Sequence, residues 1–303
     1  MKLRQIVQRV LAKRQIPAPK HFQQCLTKPH LLLLCGTVTI ASLLLVGRSA
    51  YNAFLERGLD LEQQGKLGEA VAIYQSALRL NPTDAFTSYN LGSVLEKQGR
   101  LEGAIAAYQT AIQLDDRYTF AYNNVGFALE KLGKVDDAIA AYQKAVAFNP
   151  GYAFTYTCMG DLFSKEQKFD AAIAAYRQAI QADPNHALAY NHLGLALRKQ
   201  GKLEDAIAAH RQVLRLDPNY TAAYSDLGNI FALQGKLDDA IDTYRKALQL
   251  NPKSAIAHYS LGLVLQRRGQ RQAAVAAYRQ AIALNPTNSA YRSALSGLQL
   301  IVR

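Results

Sequence analysis

The sequence predicts an all-α protein built as an array of repeats, with an apolar segment ahead of it. Three observations carry this. Glycine and alanine recur at a fixed spacing of 34 residues, prolines fall at the same period, and a run of seventeen residues near the start holds no charge. With 303 residues the chain is long enough for two ordinary domains or one array. Half of it is hydrophobic, which suits a buried core and excludes general disorder. The three cysteines, Cys25, Cys35 and Cys158, form no CxxC and lie far apart, so neither a disulfide framework nor a zinc ribbon is expected.

The leader comes first. Lys2, Arg4, Arg9, Lys13, Arg14, Lys20, Lys28 and Arg48 lie within residues 1–50, which hold no Asp or Glu; they supply +8 of the chain's net +12. The body is therefore only mildly basic, which argues against a nucleic-acid partner. Leu3, Ile6, Val7, Val10 and Leu11 share one helical face. This fits a basic amphipathic helix on an anionic membrane, a disordered leader that only sets topology, or an organellar transit peptide. Residues 31–47, LLLLCGTVTIASLLLVG, would form a helix of about 25 Å, just long enough for a hydrocarbon core of about 30 Å if its flanks help. Arg48 stands where a signal-peptidase site needs a small residue, so an uncleaved anchor is expected over 31–50. The excess of cations before the span places the N-terminus in the cytoplasm and the body on the far side, in a periplasm or lumen. The expected localisation is thus a single-pass membrane protein.

The array follows. Gly58, Gly92, Gly126, Gly160, Gly194, Gly228 and Gly262 are evenly spaced. Twelve residues after each stands Ala70, Ala104, Ala138, Ala172, Ala206, Ala240 or Ala274. Four further on is Tyr74, Tyr108, Tyr142, Tyr176, Tyr244 or Tyr278, with His210 as the exception. Proline closes each repeat except the second, where Asp116 takes its place. In the third repeat Tyr122, Val125, Gly126, Leu129, Ala138, Tyr142, Ala145 and Pro150 stand at signature spacings, and the pattern resembles the tetratricopeptide repeat family.

The resemblance covers 238 residues and implies seven pairs of antiparallel helices stacked into a right-handed superhelical solenoid with a concave groove. The repeats are expected at 51–84, 85–118, 119–152, 153–186, 187–220, 221–254 and 255–288, after a basic leader over 1–30; residues 289–303 are expected to form a capping helix. Gly126 and Ala138 are expected to let two backbones approach, with Tyr142 and Leu129 filling the space left; bulk there would cost about 1–3 kcal/mol. Gly133 marks the turn, Asp136 and Asp137 suit the start of the second helix, and Asn149-Pro150 its end.

No catalytic site, metal site or cofactor is expected. Cys158, His192 and Asp226 share one register in successive repeats, but packed helices stand about 8–10 Å apart, too far for a nucleophile and its base. His186 and His192 are six residues apart rather than the four that stack two ligands on a helix, and His210 replaces a core tyrosine.

In this family the first helix of each repeat lines the groove, which implies a partner-binding surface. Phe86, Phe120 and Phe154 recur near the helix start, either sealing neighbours or touching a ligand. Lys97, Lys131, Lys165 and Lys199, with Arg267, recur near its end, and Arg198 adjoins them; in register they form a positive stripe that favours an acidic partner. Tyr89, Asn90, Asn123, Asn124 and Asn191 complete the expected surface. The chaperone-type carboxylate clamp of some relatives is not matched, because Leu55, Leu59, Tyr89 and Ser93 stand at its positions. The functional expectation is a non-catalytic, membrane-tethered scaffold that holds a protein segment in its groove during assembly of a membrane or envelope complex. The alternative is the recognition subunit of an enzyme complex for glycosylation or envelope polymer synthesis. A protease-recruiting regulator ranks third, since the chain lacks the paired-CxxC module of such relatives.

Overall fold

The computed structural model describes residues 47–300. All secondary structure there is α-helical: fifteen helices and no strand among the described residues. The described chain divides into two compact bodies, one ending at Leu132 and the other beginning at Gly133. The N-terminal body holds α1 (residues 47–63), α2 (Leu67–Leu80), α3 (Ala85–Lys97), α4 (Leu101–Leu114) and α5 (Thr119–Lys131). The C-terminal body holds α6 (Val135–Phe148), α7 (Ala153–Lys165), α8 (Phe169–Ala182), α9 (Ala187–Lys199) and α10 (Leu203–Leu216). It continues through α11 (Thr221–Leu233), α12 (Leu237–Leu250), α13 (Ala255–Arg267), α14 (Arg271–Leu284) and α15 (Ser289–Leu300). Within each body successive helices pack in chain order, as in a solenoid.

The anchor expected over 31–50 lies almost wholly outside the described residues, as does the basic leader. Among the described residues no helix is long and apolar enough to cross a membrane. The expected single-pass membrane localisation and transmembrane helix are corrected accordingly.

Local chemistry explains where the helices stop. The turns after the first helices hold Gly65, Gly99, Gly201, Gly235 and Gly269 at φ of 73 to 82°, a left-handed conformation that costs a glycine little. The turn after α7 is the exception, with Gln167 at φ 60°. The second helices end at Asn or Asp followed, in most repeats, by proline. The side chains of Asp115, Asn149, Asp183, Asp217 and Asn251 each accept the backbone N–H two residues on, closing an Asx turn before the next first helix.

The core is a series of aromatic rings seated on glycine. Tyr74, Tyr108, Tyr142, Tyr176, Tyr244 and Tyr278 are almost wholly buried. A Cβ added to Gly58 would lie 2.5 Å from the Tyr74 ring; on Gly92 it would lie 2.6 Å from Tyr108, and on Gly160 2.4 Å from Tyr176. Gly228 and Gly262 repeat this with Tyr244 and Tyr278. The glycine is therefore the seat of the ring, and not only a point of close backbone approach. The two alanines of each second helix are fully buried, as is Val213, which replaces one of them. At the end of the array α15 packs on α14, with Tyr291 and Leu298 buried. The Tyr291 ring lies 4.7 Å from that of Tyr259 on α13.

Two substitutions in one helix pair should move stability in opposite directions. Gly160→Ala forces the buried Tyr176 ring to shift and should cost about 1–3 kcal/mol. Gln167→Gly relieves a left-handed glutamine and should stabilise by up to about 1 kcal/mol. Urea midpoints of the two variants against the parent measure both.

Candidate functional site

In the N-terminal body each buried tyrosine needs an acceptor for its hydroxyl, and the preceding first helix supplies a glutamate. Tyr74 donates to Glu62 at 3.2 Å and Tyr108 to Glu96 at 3.0 Å. The other oxygen of each carboxylate meets a lysine of the next first helix: Lys97 Nζ lies 2.7 Å from Glu62 and Lys131 Nζ 3.4 Å from Glu96. Burial, then the carboxylate charge, holds both phenols far above their ordinary range. Lys131 also sits over the Phe127 ring, 4.2 Å from its centre. The stripe expected from Lys97 and Lys131 is thus neutralised inside this body.

Asn124 is also engaged internally. Asn124 donates to the hydroxyls of Tyr89 and Tyr108 at 3.0 and 3.3 Å, and the Tyr89 ring packs against Tyr108 and Tyr118. Asn90 and Asn123 are buried. Phe86 and Phe120 are 46% and 50% exposed.

In the C-terminal body the glutamate register changes to Ser164, Arg198, Ala232 and Gln266. Tyr278 uses Gln266 at 2.7 Å. Tyr176 and Tyr244 turn to acceptors about one turn earlier, Asp161 at 2.8 Å and Asn229 at 2.6 Å. His192 Nδ1 lies 2.6 Å from the same Asp161 oxygen. The register of Cys158, His192 and Asp226 is thus broken up, since His192 pairs with Asp161 and Asp226 bonds to Asn229. Cys158 is buried. Among the described residues no cluster of His, Cys, Asp and Glu could hold a metal. Phe154, Lys165 and Lys199 are exposed and Asn191 is buried.

One repeat inverts the pattern. Arg198 stands where Glu62 and Glu96 stand in theirs, and the aromatic after it is His210 rather than tyrosine. His210 is fully buried over Gly194, and neither ring nitrogen has a hydrogen-bond partner. Burial, then the Arg198 charge, pushes its pKa down to about 4. The Arg198 Nε is buried and equally without a partner. Burial holds the Asp226 carboxyl above the usual range, against the opposing pull of Arg198 and the bond to Asn229. Tyr244 is pushed up to about 12, chiefly by burial.

Two adjoining cavities open beside these groups, of about 510 and 480 Å³. Both are lined by Asn229, Tyr244 and Ser260. The first adds Arg198 and Arg267 with Leu233 and Leu263; the second adds Asp226 with Ile256. Leu233 is 63% exposed and Ile256 66%, unusually high for aliphatic side chains on one face. Arg267 donates one guanidinium hydrogen to the Ala232 carbonyl at 2.9 Å. Of the expected surface, Arg198 and Arg267 line the first of these cavities. Asn229, Tyr244, Ser260, Leu233, Leu263 and Ile256 were not anticipated. The signal for them was the loss of acid from the glutamate register and the leucine interrupting the lysine row.

Comparison with known proteins fits this construction. The profile described as Tetratricopeptide repeat matches residues 55–119, 89–153 and 159–221, together more than half of the chain. A second Tetratricopeptide repeat profile matches 255–288, and one described as TPR repeat matches 228–269. No curated protein matches the sequence. Among solved structures, MamA is 28% identical over 55% of this chain and 96% of its own, with a TM-score of 0.51. YrrB, a TPR protein with an unusual peptide-binding site, is 23% identical over 61% of this chain and 95% of its own, with a TM-score of 0.52. The C-terminal part of a TPR repeat-containing protein from Cytophaga hutchinsonii is 18% identical over 79% of this chain and 98% of its own, with a TM-score of 0.67. The last two likenesses concern the fold alone.

The two polar arrangements can be tested separately. Glu96→Ala strips the Tyr108 hydroxyl of its acceptor and should cost about 1–3 kcal/mol, whereas Lys131→Ala, which removes an exposed partner, should cost less than about 1 kcal/mol. Urea unfolding of the two variants measures the difference. His210 has a folded pKa below its unfolded value, so the neutral form stabilises the fold above about pH 6.5. That stability is lost as pH falls toward 4. Between pH 7.5 and 4.5 the loss should be about 2–3 kcal/mol, and His210→Phe should remove that part of the slope. Denaturation midpoints at the two pH values measure it.

Proposed function

Since this chain belongs to the tetratricopeptide repeat family, we propose that it is a non-catalytic protein–protein interaction module that holds a segment of a partner against its first helices. Members of this family in general mediate protein–protein interactions. The observation that carries the reading for this chain is the pair of adjoining cavities along α9, α11 and α13, edged by exposed Leu233 and Ile256. Concave sites with mostly apolar walls and a few convergent polar groups are the usual form of a binding site. Here the polar groups are Asn229, Tyr244 and Ser260, which can orient a backbone, while the aliphatic side chains supply area to bury.

Phe154 and Lys199 extend the proposed surface in the C-terminal body, and in the N-terminal body Phe86 and Phe120 offer a surface of their own; all four are exposed on first helices. Asn90, Asn123, Asn124 and Asn191 act as supports beneath these surfaces, because their amides are buried or bonded inside the protein.

A photo-crosslinking amino acid placed at Leu233 or Ile256 in the native cells should yield discrete protein adducts. The same group at Lys246, exposed on the second helix α12, should not. Replacing Leu233 and Ile256 together by Asp should weaken adduct formation from a reporter at Leu263 by about tenfold or more, as expected for central contact residues. Equal adducts from Lys246, or none from Leu233 and Ile256, would overturn the proposal.

A further inference from the structure

We infer that the cavity between Arg198 and Arg267 receives an Asp or Glu side chain of the partner segment, next to an aliphatic residue that packs on Leu233 and Leu263. This rests on the interaction reading above and specifies its chemistry. In the N-terminal body every cation of the lysine register that has a described partner meets a carboxylate of the same chain: Lys97 with Glu62 and Lys131 with Glu96. In repeats five to seven the acid is gone. Arg198 occupies its place, and Arg267 meets only a backbone carbonyl. Neither arginine has a carboxylate within ion-pair distance among the described residues, and the Arg198 Nε is buried without an acceptor. Asp226 acts on Arg198 only from beyond ion-pair distance, so the guanidinium that lines this cavity lacks the direct carboxylate contact that Lys97 and Lys131 make.

The anion's form follows from the walls. Planar guanidinium groups match a carboxylate in bidentate fashion. Asp226 lines the adjoining cavity, and against the two arginines it leaves one net positive charge, which a single carboxylate balances and a dianion such as a phosphate exceeds. The cavities adjoin through Asn229, Tyr244 and Ser260, which suits a segment that passes over both rather than one that ends at the first. The chain's own residues 1–46 do not qualify, since they carry seven Lys or Arg and no acid.

The test is selection of a random peptide library on the immobilised full chain. The C-terminus of each peptide is fused to the phage coat, so that only side-chain carboxylates are offered. Enriched peptides should carry Asp or Glu beside Leu, Ile, Val or Phe. Made with an amidated C-terminus, the best of them should bind about tenfold or more weakly to Arg267→Glu and to Arg198→Gln, the loss expected for a charge-assisted hydrogen bond. The peptide's own acid-to-amide change should cause the same loss, and Lys97→Gln should leave binding unchanged. Arg267 is exposed, so its variant keeps the test decisive if Arg198→Gln fails to fold. Enriched peptides without an acid, peptides indifferent to Arg267→Glu, or binding that requires a free C-terminal carboxylate would each overturn this inference while leaving the interaction module standing. A library with no enriched peptide would overturn both.

Discussion

A tyrosine ring pressed onto a glycine is the contact on which the rest of this structure depends. Any Cβ at Gly58, Gly92 or Gly160 would fall inside van der Waals distance of the ring that lies over it. The ring is too large to be placed between two helices of ordinary side chains at this spacing. It enters only because one helix offers no side chain, and the flanking alanines then close around it. Burying an aromatic ring in this way supplies much of the apolar area that a two-helix repeat can contribute, and neighbouring repeats are needed to cover it.

The ring brings a polar end with it. A phenol taken out of water must keep a hydrogen bond, so each first helix has to present an acceptor near its C-terminal end. Glu62 and Glu96 do so, and a carboxylate held there attracts a cation from the next first helix. A lysine row thus follows from a tyrosine column through an intermediate carboxylate. Where Asp161, Asn229 or Gln266 serves as the acceptor, the link to a lysine is absent. The repeat with Arg198 departs from this rule: the residue at the acceptor position is a donor, and the ring over Gly194 is a histidine that stays uncharged at neutral pH. The two changes occur in the same repeat, and Arg198 lines a cavity with no carboxylate of the described residues within ion-pair distance.

Much of this was legible before any coordinates. Helix pairs, their turns at glycine and their ends at Asn-Pro or Asp-Pro follow from local rules that act over a few residues. What could not be read was which polar groups are used up internally. Lys97 and Lys131 look like a free positive stripe in one dimension, because their partners are 35 residues away. Asn124 looks like a ligand contact until its amide is seen on two tyrosine hydroxyls. The same limit affected Cys158, His192 and Asp226, whose common register says nothing of the Asp161 carboxylate that captures the imidazole.

The sequence by itself determined the class of fold, the period, the identity of the core columns and the family, since each depends on spacing and side-chain size along one helix pair. The tertiary structure alone decided where charge is compensated and where it is not, and so which part of the face has something to offer a partner. The physical reason is that a salt bridge or a cavity wall joins residues of successive repeats. Its existence depends on whether the particular side chains that meet there are opposite, alike or too short, which a repeating pattern cannot express.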